Sequence, residues 1–373
     1  MRIGFLLYGS IETVSGGYFY DRKLVEYLRN QGNQVEIISL PWRGYLFHLL
    51  DNFSSNLINK LQDLAVDLLI QDELNHPSLA WLNHKIDVSY PIITLVHHLR
   101  CKEVHPPLQN RFYQWVEKEY LNSVDGFIFN SQTTRATVDE LSTIKPRPWV
   151  VANPAGDRFN PEVNVEQIEK RAYQPGPLKL LFLGNIIPRK GLHTLILAMN
   201  HLPRGTCTLD VVGNLEIDRA YRRSVLRLVR QLELSDDVQF HAALEDRPLY
   251  DMLMDSQVLV VPSSYEGFGI VYLEGMGFGL PGIGTHQGAA AEIILPEENG
   301  YLIEAEDLAS LANILLELDQ DRGKLARLGV AAKSRYNQFP SWEVSMAKVA
   351  DFLSEVLRLG GKSQARRRSS NGV

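Results

Sequence analysis

Residues 173–191 read YQPGPLKLLFLGNIIPRKG, and the order of signals in this stretch decides the fold. Pro175, Gly176 and Pro177 stop helix and sheet alike, because proline lacks an N–H donor and fixes its own backbone angle. The run KLLFLGN (179–185) then opens a strand that is apolar on successive residues, as a strand covered on both faces must be. The same alternation extends in both directions. Before the break come RIGFLLY (2–8), QVEIISL (34–40), VDLLIQ (66–71), PIITLVH (91–97), GFIFNS (126–131) and PWVVAN (148–153). After it come TLDVVG (208–213), VQFHA (238–242), QVLVVPS (257–263) and GLPGIGT (279–285). Helical spacing lies between several of them, as at Leu24, Tyr27 and Leu28 with Gly32 as the stop. The pattern predicts an α/β chain of two doubly wound, Rossmann-like domains: 1–172, a linker over 173–178, and 179–340.

Composition agrees with that division. A chain of 373 residues with 45% apolar and 22% charged residues is long enough for two domains, each with its own core. The net charge of -6 gives no whole-molecule field for nucleic acid, so no nucleic-acid partner is expected. Cys101 and Cys207 lack CxxC spacing, which suits a reducing, cytoplasmic setting. The opening MRIGFLLYGS meets Glu12 without a cleavage pattern and is expected to be a strand rather than a signal peptide. No apolar run reaches the ~18 residues of a membrane span. The Ser/Gly-rich stretch 361–373, with Arg366–Arg368, is expected to be a disordered, solvated tail.

Ligands of doubly wound sheets bind beyond the carboxyl ends of the strands, so the residues there matter most. In SSYEGFGIVYLEGMGFG (263–279), Gly267 and Gly269 permit close backbone approach, and a helix starting near Ile270 offers free N–H groups to a phosphate. Glu266 and Glu274 beside such a seat suit sugar hydroxyls. In FLGNIIPRKG (182–191), Arg189 and Lys190 follow a strand and can neutralise a diphosphate and its developing charge. Gly213, after TLDVVG, falls at another strand end of the same domain.

Gly184, Arg189-Lys190-Gly191 and the E-x7-E element Glu266–Glu274 together resemble the donor domain of the family-4 nucleotide-sugar glycosyltransferases, whose fold is the two-domain GT-B architecture. Gly16-Gly17 in VSGGYFY is similar to that family's glycine-rich loop, VHHL (96–99) to its strand-end histidine, and VVANPAGDRF (150–159) to its asparagine element, with Pro154 in place of the usual glycine. SWEVSMAKVADFL (341–353) is similar to its C-terminal helix, which implies that 341–360 packs back on the first domain. The resemblance implies retaining, metal-independent transfer of a sugar from a nucleoside diphosphate donor to a glycan, lipid or small-molecule acceptor, with no cofactor. It further implies that Glu274 binds the ribose and Glu266 the sugar. Phe268, Gly269, Ile270 and Val271 offer backbone contacts, Arg189 and Lys190 hold the diphosphate, Gly16 and Gly17 close over it, and His97 lies near the sugar. Asn185 stands where many members have arginine. A same-fold nucleotide-sugar epimerase and a catalytically idle binding module are the alternatives.

Other features read as structural. His97, Cys101 and His105 in HHLRCKEVH would share a face only on a helix, which the strand end and Pro106-Pro107 oppose, so no metal site is expected. Asp319-Gln320-Asp321 matches the DxD of metal-dependent transferases but falls near a helix end. PWRGYLFHLLDNFSSNLINKL (41–61) is expected to pack inside the first domain, with a peripheral membrane contact or an apolar acceptor as the alternative.

Overall fold

A computed structural model describes residues 1–141 and 147–370, the last stretch from 360 onwards as backbone. The first sheet contains β1 (Arg2–Tyr8), β2 (Gln34–Leu40), β3 (Leu68–Asp72), β4 (Ile92–Val96), β5 (Gly126–Phe129) and β6 (Trp149–Val151), in the order β2-β1-β3-β4-β5-β6. The second contains β7 (Leu178–Leu183), β8 (Cys207–Val212), β9 (Val238–His241), β10 (Val258–Val260), β11 (Gly282–Thr285) and β12 (Gly300–Ile303), in the order β12-β11-β10-β7-β8-β9. Every pairing is parallel, and the apolar strands are buried as two-faced strands must be: β3, β4 and β5 are buried at each position. The expected pair of doubly wound sheets is present. β12 has no counterpart among the expected strands.

The chain divides into one unit of Met1–Pro154 with Trp342–Val373 and another of Ala155–Ser341. This corrects the expected boundary. Residues 155–172 belong to the second unit, because the helix Val165–Ala172 buries Ile168 and Ala172 in its core. Arg171 on the same helix donates to the carbonyls of Met254 (3.1 Å), Phe278 (2.6 Å) and Gly279 (3.2 Å), satisfying a guanidinium that is largely out of water. The prolines after it form a turn into β7 rather than a linker between units.

The C-terminal helix, Trp342–Ser370, belongs to the first unit. Trp342 meets the rings of Phe19 and Tyr20 edge-on, at 5.4 and 5.6 Å between centroids. The Lys348 ammonium donates to the Val151 carbonyl at 3.3 Å. The expected tail, 361–373, falls on residues of which at most the backbone is described. The side chains of Arg366–Arg368 and the whole of 371–373 lie outside the described residues. Among the described residues no helix is long and apolar enough to cross a membrane.

Candidate functional site

In the second unit, β7 ends at Leu183 and the chain passes Gly184 and Asn185 into a short 3-10 turn, Pro188–Lys190. Gly191 closes that turn at φ 70, and a Cβ there would run into the Pro262 carbonyl beyond β10. Only glycine lets the turn lie against the neighbouring strand end. Lys190 is thereby brought to Glu266, with which it forms a buried ion pair. Ser263 Oγ donates to the same carboxylate oxygen at 2.6 Å. Burial opposes the charge on Glu266, but the Lys190 ammonium and the Arg189 guanidinium outweigh it and hold the carboxyl at about 2. Arg189 donates to the Tyr265 carbonyl at 2.6 Å, and its own carbonyl accepts from Ser264 N at 2.8 Å. The two loops singled out in the sequence are therefore one structure.

The helix Ile270–Gly277 begins directly after this cluster. Gly269 precedes it at φ 94, and a Cβ there would lie 2.6 Å from the Tyr272 ring. No side chain caps the helix, so its first N–H groups face outward along the axis. Ile270 and Val271 are half-buried, and Phe268 is buried with its ring edge-on to Phe339. Glu274 lies further along the helix, 5% exposed, with Arg158 Nη1 at 3.9 Å from its carboxylate. Burial pushes Glu274 up to about 7, with Arg158 opposing and Asp246 adding to the rise. Asp246 also pairs with Arg158. Each glutamate of the E-x7-E element thus has its own cation, an arrangement unlike two carboxylates facing across one bond. Gly213 has a packing reason: a Cβ on it would meet the Gly184 carbonyl.

In the first unit, His97 follows β4 and is buried. Its Nε2 lies 2.9 Å from Asp21 Oδ1, its carbonyl accepts from Asn130 Nδ2 at 2.8 Å, and Tyr20 packs edge-on against the ring. Gly16 and Gly17 open the helix Gly16–Asn30, and a Cβ on Gly17 would lie 3.2 Å from His97 Cδ2. Burial disfavours the imidazolium, but Asp21 above all, with Asp72 and Glu73, overrides it and lifts His97 to about 9. Asp72, enclosed beside Asp21, is pushed well above the usual carboxylate range.

Cation-ligating residue types gather in two buried sets among the described residues, Asp21–Asp72–His97 and Glu73–His76–Glu117, each with ligand atoms within 4.8 Å of one another. Their hydrogen bonds are partial: His97 bonds Asp21, His76 bonds Tyr45 and the Glu73 carbonyl, and Glu117 accepts from the N–H groups of Arg100 and Cys101, while Asp21 Oδ2, Asp72 Oδ2 and Glu73 Oε2 have no hydrogen-bond partner among the described residues. His97, Cys101 and His105 share no helix, since Cys101 sits on the turn Arg100–Lys102 and His105 faces Glu103. Asp321 caps the helix Arg322–Gln338 and Asp319 pairs with Arg322 at 2.5 Å, which accounts for the DxD. Asp21 escaped the sequence reading, as did the roles of Ser263 and Arg158. Arg158 stands in the quoted VVANPAGDRF, but nothing in that string points to Glu274.

Residues 164–335 match the family described as glycosyl transferases group 1. The D-inositol 3-phosphate glycosyltransferase of Xylanimonas cellulosilytica is 29% identical over 209 residues, covering 54% of this chain and 49% of that protein. The GDP-mannose-dependent alpha-(1-6)-phosphatidylinositol monomannoside mannosyltransferase of Mycobacterium tuberculosis is 27% identical over 209 residues, 53% of each. The chain thus spans about half the length of these curated relatives. A sucrose-phosphate synthase from Thermosynechococcus elongatus shares the fold, with a TM-score of 0.81 at 22% identity over 96% of this chain and 99% of that one. Residues 164–335, which carry the Lys190–Glu266 site, are thus similar to the group 1 glycosyl transferases, on a chain whose fold is GT-B.

Proposed function

We propose that the chain is a retaining, metal-independent glycosyltransferase that moves a sugar from a nucleoside diphosphate donor to an acceptor hydroxyl. The observation that carries this reading is the buried Lys190–Glu266 pair beside the uncapped N-terminus of Ile270–Gly277. An ammonium has three N–H donors, so Lys190 can keep Glu266 and still donate to a diphosphate oxygen. Arg189 and the helix N–H groups add to the positive field there. As the glycosidic C–O bond breaks, negative charge grows on the leaving diphosphate, and these groups stabilise it without reorganising. Glu266, held as a carboxylate, accepts from sugar hydroxyls, and Glu274 accepts from the ribose. In the first unit, His97, held charged by Asp21, is a hydrogen-bond donor suited to a sugar hydroxyl. The two relatives described above favour inositol phosphate or phosphatidylinositol mannoside acceptors and a GDP-mannose donor as the first substrates to try.

Isothermal titration with UDP, GDP and ADP in the presence of a chelator is the test. At least one should bind, and Arg189→Ala with Lys190→Ala should abolish that binding. Unchanged affinity in the double variant would refute the diphosphate assignment. With the donor that binds, anomeric configuration is read by NMR of the product. Inversion would remove the retaining step, and conversion of the donor to an isomer without acceptor would favour the epimerase reading.

A further inference from the structure

The stretch expected to pack inside the first domain does so only in part: Leu57 and Leu61 are buried, and Tyr45, Leu49 and Ile58 pack against the core. Trp42 (55%), Leu46 (69%), Phe47 (63%), Leu50 (61%) and Phe53 (70%) are all exposed. They lie on and just before two short turns placed end to end, the helix Tyr45–Leu49 and the 3-10 turn Leu50–Phe53. Leu46, Leu50 and Phe53 have the spacing of one helical face.

The opposite face is polar and buried, which inverts the usual arrangement of a soluble helix. The His48 ring stacks on Tyr8 at 4.1 Å between centroids. Asp51 accepts from Arg43 Nη2 at 2.7 Å and from Ser78 Oγ at 2.7 Å. Asn52 donates to the Pro77 carbonyl at 2.7 Å and accepts from Trp81 N at 2.8 Å and Leu82 N at 3.0 Å. These bonds fix the orientation. Rolling the segment to hide its leucines would strand the buried partners of Asp51 and Asn52 without hydrogen bonds, so the apolar side is held outward.

We propose that this face, Trp42 to Phe53, docks on the surface of an anionic lipid bilayer. Charge selects that occupant. Within 41–61 the single acidic residue, Asp51, is buried against Arg43, whereas Arg43 and Lys60 are exposed. Lys85 is exposed as well, with its ammonium 4.1 Å from the centroid of the Phe53 ring. Leucine, phenylalanine and tryptophan under a rim of cations is the composition of an interfacial segment, with side chains in the acyl boundary and ammonium groups at the phosphates.

The test is flotation of the full chain with two kinds of vesicle: phosphatidylcholine alone, and phosphatidylcholine with roughly a third phosphatidylglycerol. The chain should float with the anionic vesicles, less with the neutral ones, and less again at high salt. Leu46→Glu with Phe53→Glu should lower the bound fraction on anionic vesicles by about tenfold or more while leaving circular dichroism and the melting temperature unchanged, because both side chains are exposed. A wild-type chain that stays in the soluble fraction with both vesicles overturns the proposal. So does a double variant that floats like the wild type. A wild-type dimer, seen by light scattering, that the double variant dissolves while neither protein floats would assign the face to a second copy instead.

Discussion

Lys190→Met removes the ammonium from Glu266 while keeping most of the side chain's volume. In the wild type the carboxyl is held at about 2, below its ordinary value of 4.5, by Lys190 and Arg189. A depressed carboxyl stabilises the folded state above its unfolded pKa and loses that contribution as pH falls toward 2. Breaking an enclosed ion pair by deleting one partner costs about 3–5 kcal/mol. Here Ser263 Oγ still donates to the carboxylate, so roughly 2–3 kcal/mol is expected at pH 7. For a unit of this size that lowers the melting temperature by about 5–10 °C. Lowering the pH lets Glu266 of the variant take up a proton, so the gap to the wild type should shrink between pH 7 and pH 4. Adding Glu266→Gln removes the stranded charge and should recover about 1–2 kcal/mol of the loss. Thermal melts of the wild type, Lys190→Met, Glu266→Gln and the double variant at both pH values complete the cycle. Equal destabilisation at pH 4 and pH 7, or a double variant as unstable as the sum of the singles, would refute the idea that this pair is an electrostatic unit.

Asp21→Asn keeps the shape beside His97 and removes its nearest negative charge, so the imidazole should titrate below the wild-type value of about 9, read by NMR, and the alkaline limb of the transfer rate should move the same way. An unmoved His97 titration would count against Asp21 as its partner. Glu274 is raised to about 7 by burial, so the folded state holds a proton that the unfolded state releases between ~pH 4.5 and ~pH 7, and its contribution to stability declines as pH rises through that window. Melting temperatures of Glu274→Gln relative to the wild type should therefore increase from pH 5 to pH 8, and a flat difference would contradict the buried, partly protonated carboxyl. Gly191→Ala forces a Cβ into the Pro262 carbonyl at a left-handed φ of 70, and should destabilise by about 1–3 kcal/mol while weakening nucleoside diphosphate binding through displacement of Lys190. Wild-type affinity in that variant would uncouple the turn from the site.

The sheets were legible because two-faced burial writes itself into consecutive residues: KLLFLGN announces β7 within two residues of its ends. The Gly191 turn and the Gly269 helix start were legible for a similar reason, since each requires glycine locally. The boundary between the units was not, because YQPGPL interrupts regular structure equally well as a linker or as a turn. What decides is the side on which Ile168 and Arg171 find partners, and those partners, near Met254 and Gly279, are far along the chain. β12 is a four-residue run, GYLI, after Glu297-Glu298-Asn299, and an apolar run this short does not by itself tell strand from turn or helix.

The remaining misses share one physical cause. Asp21 beside His97, Glu274 beside the exposed Arg158, and Asp51 with Asn52 beneath an apolar face each set a buried polar group against a distant partner. Sequence patterns report how much apolar surface an element must hide, but a buried polar group is stable only with partners, and these lie 76, 116, 27 and 25 residues away along the chain, respectively. Where such partners exist, they can override the pattern, as the Trp42–Phe53 segment demonstrates: hydrogen bonds hold its polar side in, and its leucines are left out. A fold that encloses charge at two strand ends and exposes leucine on a fixed helical face departs from local consistency in both places. Such departures are retained where they do something besides fold, which makes the polar interior of the first unit as informative about this chain's chemistry as the phosphate-type loop of the second.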